Sequence, residues 1–277
     1  VKLSTGYSNK SAISKPLLPL QIPKQLLNIL KGLWFVFQLY FKKKSKHPTN
    51  FYCLASHFRY NDGKNHINRY FNQLIAQDRK NKHAFKIVDY STTTAEYRNK
   101  IDFIPQTIFL DKIKYFALFL RIFRFKKYKN STNKWKDFDR FLKEVNSISP
   151  NNTLTRNSIL KQYVLIDVLS KIYKILLRKY NVDNIYILCY YVSEMYAMNI
   201  AASNLGKENW DIQHGAQGSL HAAYANFNKI PLAGYKLLPK LFWCWDNESA
   251  AEIAKWTKNQ SYHNVVVKGN PWLEYVI

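Results

Sequence analysis

The sequence predicts an α/β fold: a Rossmann-like parallel sheet with flanking helices and additional basic amphipathic helices. Three observations predict it. Short apolar runs of strand length recur along the chain. Segments with apolar residues at helical spacing lie between most of them. The two kinds alternate, which implies parallel strands joined by right-handed crossovers.

Residues 1–22 read as an irregular, proline-punctuated lead-in, and Pro23 opens a helix to about Lys43. That helix is apolar from Leu33 to Phe37 and runs out into Lys42-Lys43-Lys44-Ser45-Lys46. Asn50–Ala55 is the first buried strand. The loop Ser56–Lys64 follows, then a helix over Asn65–Gln77 with Ile67, Tyr70, Phe71, Leu74 and Ile75 on one face. Ala84–Tyr90 is the second strand. Thr107–Lys129 reads as a second aromatic, basic-ended helix, 131–150 as polar loop or helix, and Asn157–Tyr180 as a strong amphipathic helix. The last stretch repeats the rhythm. Asn184–Tyr191 is a strand, and Ser193 caps a helix from Glu194 to Asn204 that Gly206 closes. Trp210–Gln213 and Lys240–Trp245 are strands. Asn247 caps the helix Glu248–Trp256, and Asn264–Lys268 is the final strand. The implied domains are a lead-in and basic helix over 1–49, a Rossmann-like unit over 50–269 with a helical insert at about 101–180, and an inter-domain passage from 270 to 277.

Bulk composition narrows the function classes. At 277 residues the chain makes one large domain or two small ones. Hydrophobic content of 47% excludes a disordered chain despite a net charge of +24. The charge is lopsided: residues 1–130 hold 25 Lys and Arg against 6 Asp and Glu. Such a basic part attracts phosphates, in nucleic acid, anionic lipid or a charged glycan. A Lys- and Asn-rich composition accounts for it equally well without any partner. The two aromatic, basic-ended helices suit an anionic membrane interface, or else core helices whose lysines complement their C-termini. Cys53, Cys189 and Cys244 are far apart in apolar stretches, so buried thiols of a reducing cytoplasm are expected rather than a zinc site or disulfides. No apolar signal-peptide core and no run of about 18 apolar residues occurs. The expected location is the cytoplasm, including the inner membrane face.

In open α/β sheets ligands bind at the carboxyl ends of strands. Three loops fall there. One is Ser56–Lys64, where His57, Arg59 and Lys64 are candidate contacts for an anionic acceptor, or simply solvated. The second is Val192-Ser193-Glu194, where Glu194 is either an acid/base group or a partner of the helix dipole. The third is Gln213-His214-Gly215-Ala216-Gln217-Gly218, followed by His221 and Tyr224. A neutral imidazole near pH 7 suits a general base, so His214 is the candidate; hydrogen-bonding across its own loop is the rival role. Gly215 allows a sharp turn and close approach of substrate, and Gly215 and Gly218 free backbone N–H groups for oxygens. Gln213, Gly215, Gln217, His221 and Tyr224 complete the candidate binding set. His221 and Tyr224, three apart, share a helix face if one forms there. Asp137-Phe138-Asp139 matches a metal-binding D-x-D, but cationic neighbours and the lack of a preceding strand argue against it. No metal is expected, and there is no P-loop, GxGxxG or HExxH.

The strings DIQHGAQGSLHAAY, GYKLLP, FWCW and VVVKGNPWL resemble GT-B-type glycosyltransferases of bacterial surface polysaccharide synthesis, the enzymes of capsules and lipopolysaccharide O-chains. The resemblance covers about residues 184–277 and, more weakly, FYCLASHFRYNDGK. It implies an acceptor-side Rossmann-like domain facing a donor domain across a cleft. The Asn270-Pro271 element would lie near the passage between them. The chain stops six residues after Pro271, so the donor domain is expected to be missing. Nucleotide-sugar and glycan acceptor would be the partners, with no resident cofactor, for hexosyl or ulosonic-acid transfer. Two rivals stand beside this reading: a sugar-nucleotide epimerase or hydrolase of the same architecture, and a non-enzymatic basic module for nucleic acid or membrane. Nucleic acid is the weaker of these partners, because the aromatics sit at core-like spacing and no nucleic-acid signature is present.

Overall fold

A computed structural model of the chain describes residues 21–61, 63, 65–91, 94–131, 135, 137–148 and 153–273. Its strands, in chain order, are β1 (Thr49–Leu54), β2 (Arg59–Asn61), β3 (His66–Asn68), β4 (Ala84–Asp89), β5 (Thr107–Phe109), β6 (Val182–Ile187), β7 (Glu208–Ile212), β8 (Leu241–Cys244) and β9 (Asn264–Val267). The helices are α1 (Gln21–Phe41), α2 (Asn72–Lys80), α3 (Ala95–Asn99), α4 (Asp111–Ser131), α5 (Phe138–Ile148), α6 (Arg156–Lys179), α7 (Ser193–Ser203) and α8 (Asn247–Thr257). Strands β2 and β3 form a small antiparallel hairpin. The other seven make one parallel sheet in the order β5-β4-β1-β6-β7-β8-β9. The Rossmann-like α/β expectation therefore holds.

The topology positions the site. The sheet grows from β1 outward through β4 and β5, then the chain returns and grows the other way from β6. That order reverses between β1 and β6, and in open α/β sheets the loops beyond the carboxyl ends at such a switch point are where ligands bind. Central β1 buries the apolar run Phe51–Leu54, as a parallel strand covered on both faces must. The buried Asp78 carboxylate on α2 accepts from the Asn50 amide at 2.9 Å and the Tyr52 hydroxyl at 2.7 Å, and so fastens α2 to β1. Helix α6 opens with a reciprocal cap between Thr155 and Ser158, buries Leu160, Val164, Leu169, Tyr173 and Leu176, and ends in Arg178 and Lys179, which suit its negative C-terminal dipole. Helices α1, α4, α6 and α7 pack side by side as one layer. All three cysteines are buried, and burial pushes their thiols up, Cys244 to about 12.

Several element boundaries differ from expectation for identifiable reasons. The helix expected over 65–77 begins only at Asn72. The Asn68 side chain accepts from the backbone N–H groups of Tyr70 and Phe71, at 3.0 and 2.6 Å, so this stretch turns instead of coiling. Thr107–Phe109 is strand rather than the first turn of a helix: its β-branched and aromatic residues add an edge to the sheet beside β4. The helical insert is therefore confined to α4–α6. Ser193 does not cap α7. Val192 holds the cap position without a side-chain bond, and the Ser193 hydroxyl donates to Gln162. Asp246, not Asn247, caps α8, accepting from the Ser249 N–H at 2.7 Å. Among the described residues no helix is long and apolar enough to cross a membrane.

Candidate active site

The loops after β1, β6 and β7 meet around His214. After β1 the chain makes a 3₁₀ turn, Ser56–Phe58. The strand expected over 184–191 stops at Ile187, because Cys189 takes a left-handed φ of 64°. That reversal is costly for a residue with a Cβ. It carries Tyr190 and Tyr191 out of the sheet. After β7 comes the turn Gln213-His214-Gly215. The Phe58 ring stands edge-on to the His214 imidazole at 4.9 Å, and Tyr191 lies 6.3 Å from it on centroids. Tyr191 also meets His221 at 5.6 Å, and His221 meets Tyr224 at 4.8 Å. A tight turn, not a helix, brings His221 and Tyr224 together.

His214 is held from two sides. Its carbonyl accepts from the Tyr70 hydroxyl at 3.0 Å. Its Nδ1 lies 3.3 Å from the Ile212 carbonyl. A carbonyl only accepts, so Nδ1 carries the proton and Nε2 keeps its lone pair. Nε2 is 3.4 Å from the Tyr191 hydroxyl. Burial pushes the imidazole pKa down to about 4; the Ile212 bond opposes this, while His221 and His57 add to it. The ring is therefore neutral at pH 7, an acceptor and not a cation.

The other candidates divide into those that meet His214 and those that do not. His57 is exposed at the rim, its ring 4.2 Å from Phe58, and burial lowers its pKa against the pull of Asp89. Arg59 is turned inward. Its guanidinium is buried 3.7 Å from Asp89, so it is not presented to an acceptor. Lys64 lies outside the described residues. Gln213 spends its amide internally: Nε2 donates to the Gly215 carbonyl and Ser249 Oγ, both at 3.0 Å, and Oε1 accepts from the Trp245 N–H at 2.7 Å. It ties the histidine turn to the start of α8. Gln217 is buried, with Oε1 3.8 Å from Cys244 Sγ. Neither Gly215 nor Gly218 needs left-handed backbone, so the sharp turn does not demand glycine, and open space flanks both. Residues 216–219, with Gln213, Trp245 and the first turn of α8, also line a cavity of about 450 Å³. Glu194 is buried in the helical layer, its Oε1 2.5 Å from Lys114 Nζ on α4, and none of its described contacts joins it to His214. Of the D-x-D pair, Asp139 is taken by Arg156 at 2.6 Å.

Sequence reasoning missed Asp211. It is fully buried on β7, and its Oδ2 accepts from the Tyr224 hydroxyl at 2.8 Å. Desolvation pushes its carboxyl up to about 8, with the Tyr224 and Tyr190 hydrogen bonds pulling back. Its neutral form thus orients Tyr224 against the histidine cluster. A lone acid inside the apolar run WDI was the available signal. Phe58, Tyr70 and Tyr191 were also missed, since each reads as ordinary core. Beyond β9, Gly269 has φ 77° and accepts from Trp243 Nε1, and Trp272 comes back within 6.3 Å of Tyr60 on the β2–β3 hairpin. Among the described residues no cluster of His, Cys, Asp or Glu is placed to hold a metal ion. No family model, curated protein or solved structure matches the chain.

Proposed function

We propose that the chain is the acceptor-side part of a GT-B-type glycosyltransferase. It would move a sugar from a nucleotide-sugar to a growing surface polysaccharide or lipid-linked glycan, with His214 as general base. The observation that carries this reading is the neutral His214 imidazole at a strand end beside the switch point of the sheet, with its Nε2 lone pair free of a proton next to Tyr191. In the transfer, the acceptor hydroxyl oxygen bonds the anomeric carbon, the bond to the nucleotide phosphate breaks, and the hydroxyl proton passes to Nε2. Tyr70 and the Ile212 carbonyl fix the ring, so the lone pair does not have to be oriented at each turnover. Tyr191 and His221, both half-buried beside His214, offer flat faces for a sugar ring. The nucleotide-sugar is a substrate, and the chemistry asks for no resident cofactor.

In enzymes of this type the donor sits on a second domain, so the test uses the full-length gene product with nucleotide-sugars and a glycan acceptor. His214→Ala should lower transfer by about 10²–10⁴-fold, the range for removing a positioned base, with the melting curve unchanged. Near-normal transfer by that variant would remove His214 from the chemistry. Release of free sugar or an epimer, with no extended glycan, would replace transfer by hydrolysis or epimerisation on the same architecture.

A further inference from the structure

The sequence singles out two aromatic helices with basic ends, and the structure treats them differently. Helix α4 turns Ile113, Phe116 and Ala117 into the core and exposes Ile122 and Phe123 only farther along. Helix α1 does the reverse over most of its length. It rests on α4 through Gly32, where a Cβ would run into the Lys112 carbonyl and Phe116. Its outer side carries Leu27, Leu30, Trp34, Phe37 and Phe41, all 50–66% exposed. The spacing of three and four residues sets them in one stripe along the helix. Trp34 stacks on Phe37 at 5.5 Å, and Phe37 meets Phe41 at 4.7 Å, so the stripe is a continuous aromatic ladder. Monomeric proteins rarely leave such a contiguous apolar strip uncovered.

We infer that the outer face of α1 lies flat in the headgroup region of an anionic lipid bilayer. Charge selects this occupant. Helix α1 contains no acidic residue and leads into Lys42, Lys43, Lys44 and Lys46, all exposed. An interfacial helix has this form: large apolar and aromatic side chains on one side, and lysines that reach lipid phosphates. A second copy of the chain pairing through the same stripe would offer these lysines no counter-charge, since α1 carries no acidic residue, whereas an anionic bilayer supplies one. Spanning is not what the helix does, since none of the described helices is apolar enough to cross. The inference does not depend on the reaction at His214.

The experiment is co-sedimentation of the purified chain with vesicles of phosphatidylcholine alone and of phosphatidylcholine with phosphatidylglycerol, at about 150 mM salt, where surface charge acts over ~8 Å. The unchanged chain should pellet with the anionic vesicles and much less with the neutral ones. The exposed-face variant Leu30→Ser/Trp34→Ser/Phe37→Ser should lose at least tenfold in vesicle affinity, while far-UV circular dichroism shows the same helix content. Lys42→Gln/Lys43→Gln/Lys44→Gln should lose the preference for anionic lipid. Three results would each overturn the inference: no pelleting by the unchanged chain, equal pelleting by the serine variant, or a dimer in light scattering that the serine variant dissolves while neither protein binds vesicles. The last would assign the stripe to a second copy.

Discussion

Replacing Asp211 by Asn should flatten the pH dependence of stability between pH 6.5 and 8. The carboxyl titrates at about 8 in the fold and at about 3.9 in an unfolded chain. Between those values the native state holds one proton more than the unfolded state, so stability falls as pH rises, by about 1.4 kcal/mol per unit. The contribution is fully present below about pH 4 and gone above about 8. From pH 6.5 to 8 the loss comes to about 1.7 kcal/mol, the curve levelling as half the carboxyls ionise. His214 works in the opposite sense, since its pKa is lowered, but its window from about 4 up to the ordinary imidazole value lies below this range. Asparagine keeps the shape, still accepts from Tyr224, and does not titrate. In a domain of this size 1 kcal/mol moves the melting temperature by roughly 2 °C. The assay is a melting series at pH 6.5, 7, 7.5 and 8 on both proteins. The unchanged chain should lose about 3 °C more than Asp211→Asn across it. Other titrating groups cancel in that difference. Parallel curves would mean that Asp211 is already ionised in the fold, and the neutral acid beneath Tyr224 would be gone.

Three further outcomes are expected. The acid limb of the pH profile of transfer should fall near pH 4, the value to which burial lowers His214, well below the ordinary imidazole range; a limb near 6.5 would mean the ring is open to water. Gln213→Ala should cost about 2–3 kcal/mol in urea unfolding, because the buried Trp245 N–H and Ser249 lose their shared partner, and an unchanged midpoint would contradict that wiring. Gly32→Leu should lower stability by about 1–3 kcal/mol by prising α1 from α4, and a neutral result would show that the helices do not cross so closely.

The sheet was legible because buried parallel strands are apolar on both faces and appear as unbroken runs such as NFYCLA, NIYILC and LFWC. Boundaries were lost where a side chain competed with the backbone. Asn68 stops a helix that the spacing of Ile67, Tyr70 and Leu74 would have started earlier, and nothing in that spacing reveals its two backbone bonds. In the site, the turn around His214 was visible as a polar, glycine-bearing break after an apolar strand. The residues that hold it were not, because nothing in the sequence around Phe58, Tyr70 and Tyr191 ties them to a histidine farther along the chain. Arg59 looked like a surface cation, and Glu194 like a residue of the catalytic rim. Their partners, Asp89 and Lys114, are far away in sequence and near only after folding.

The sequence alone determined the α/β class, the order of most elements and the strand end that bears His214, because hydrophobic period and strand length are local properties. Only the tertiary structure decided which side of each helix meets solvent. It turned the first half of α4 into the core through Ile113, Phe116 and Ala117, and left the Leu27–Phe41 stripe of α1 exposed, although both segments are rich in leucine and aromatic residues. It also decided protonation. Asp211 and His214 lie three residues apart, and both stay neutral because burial disfavours the charged form of each. Desolvation depends on everything packed around a group, and the chain defines that only once the strands have come together.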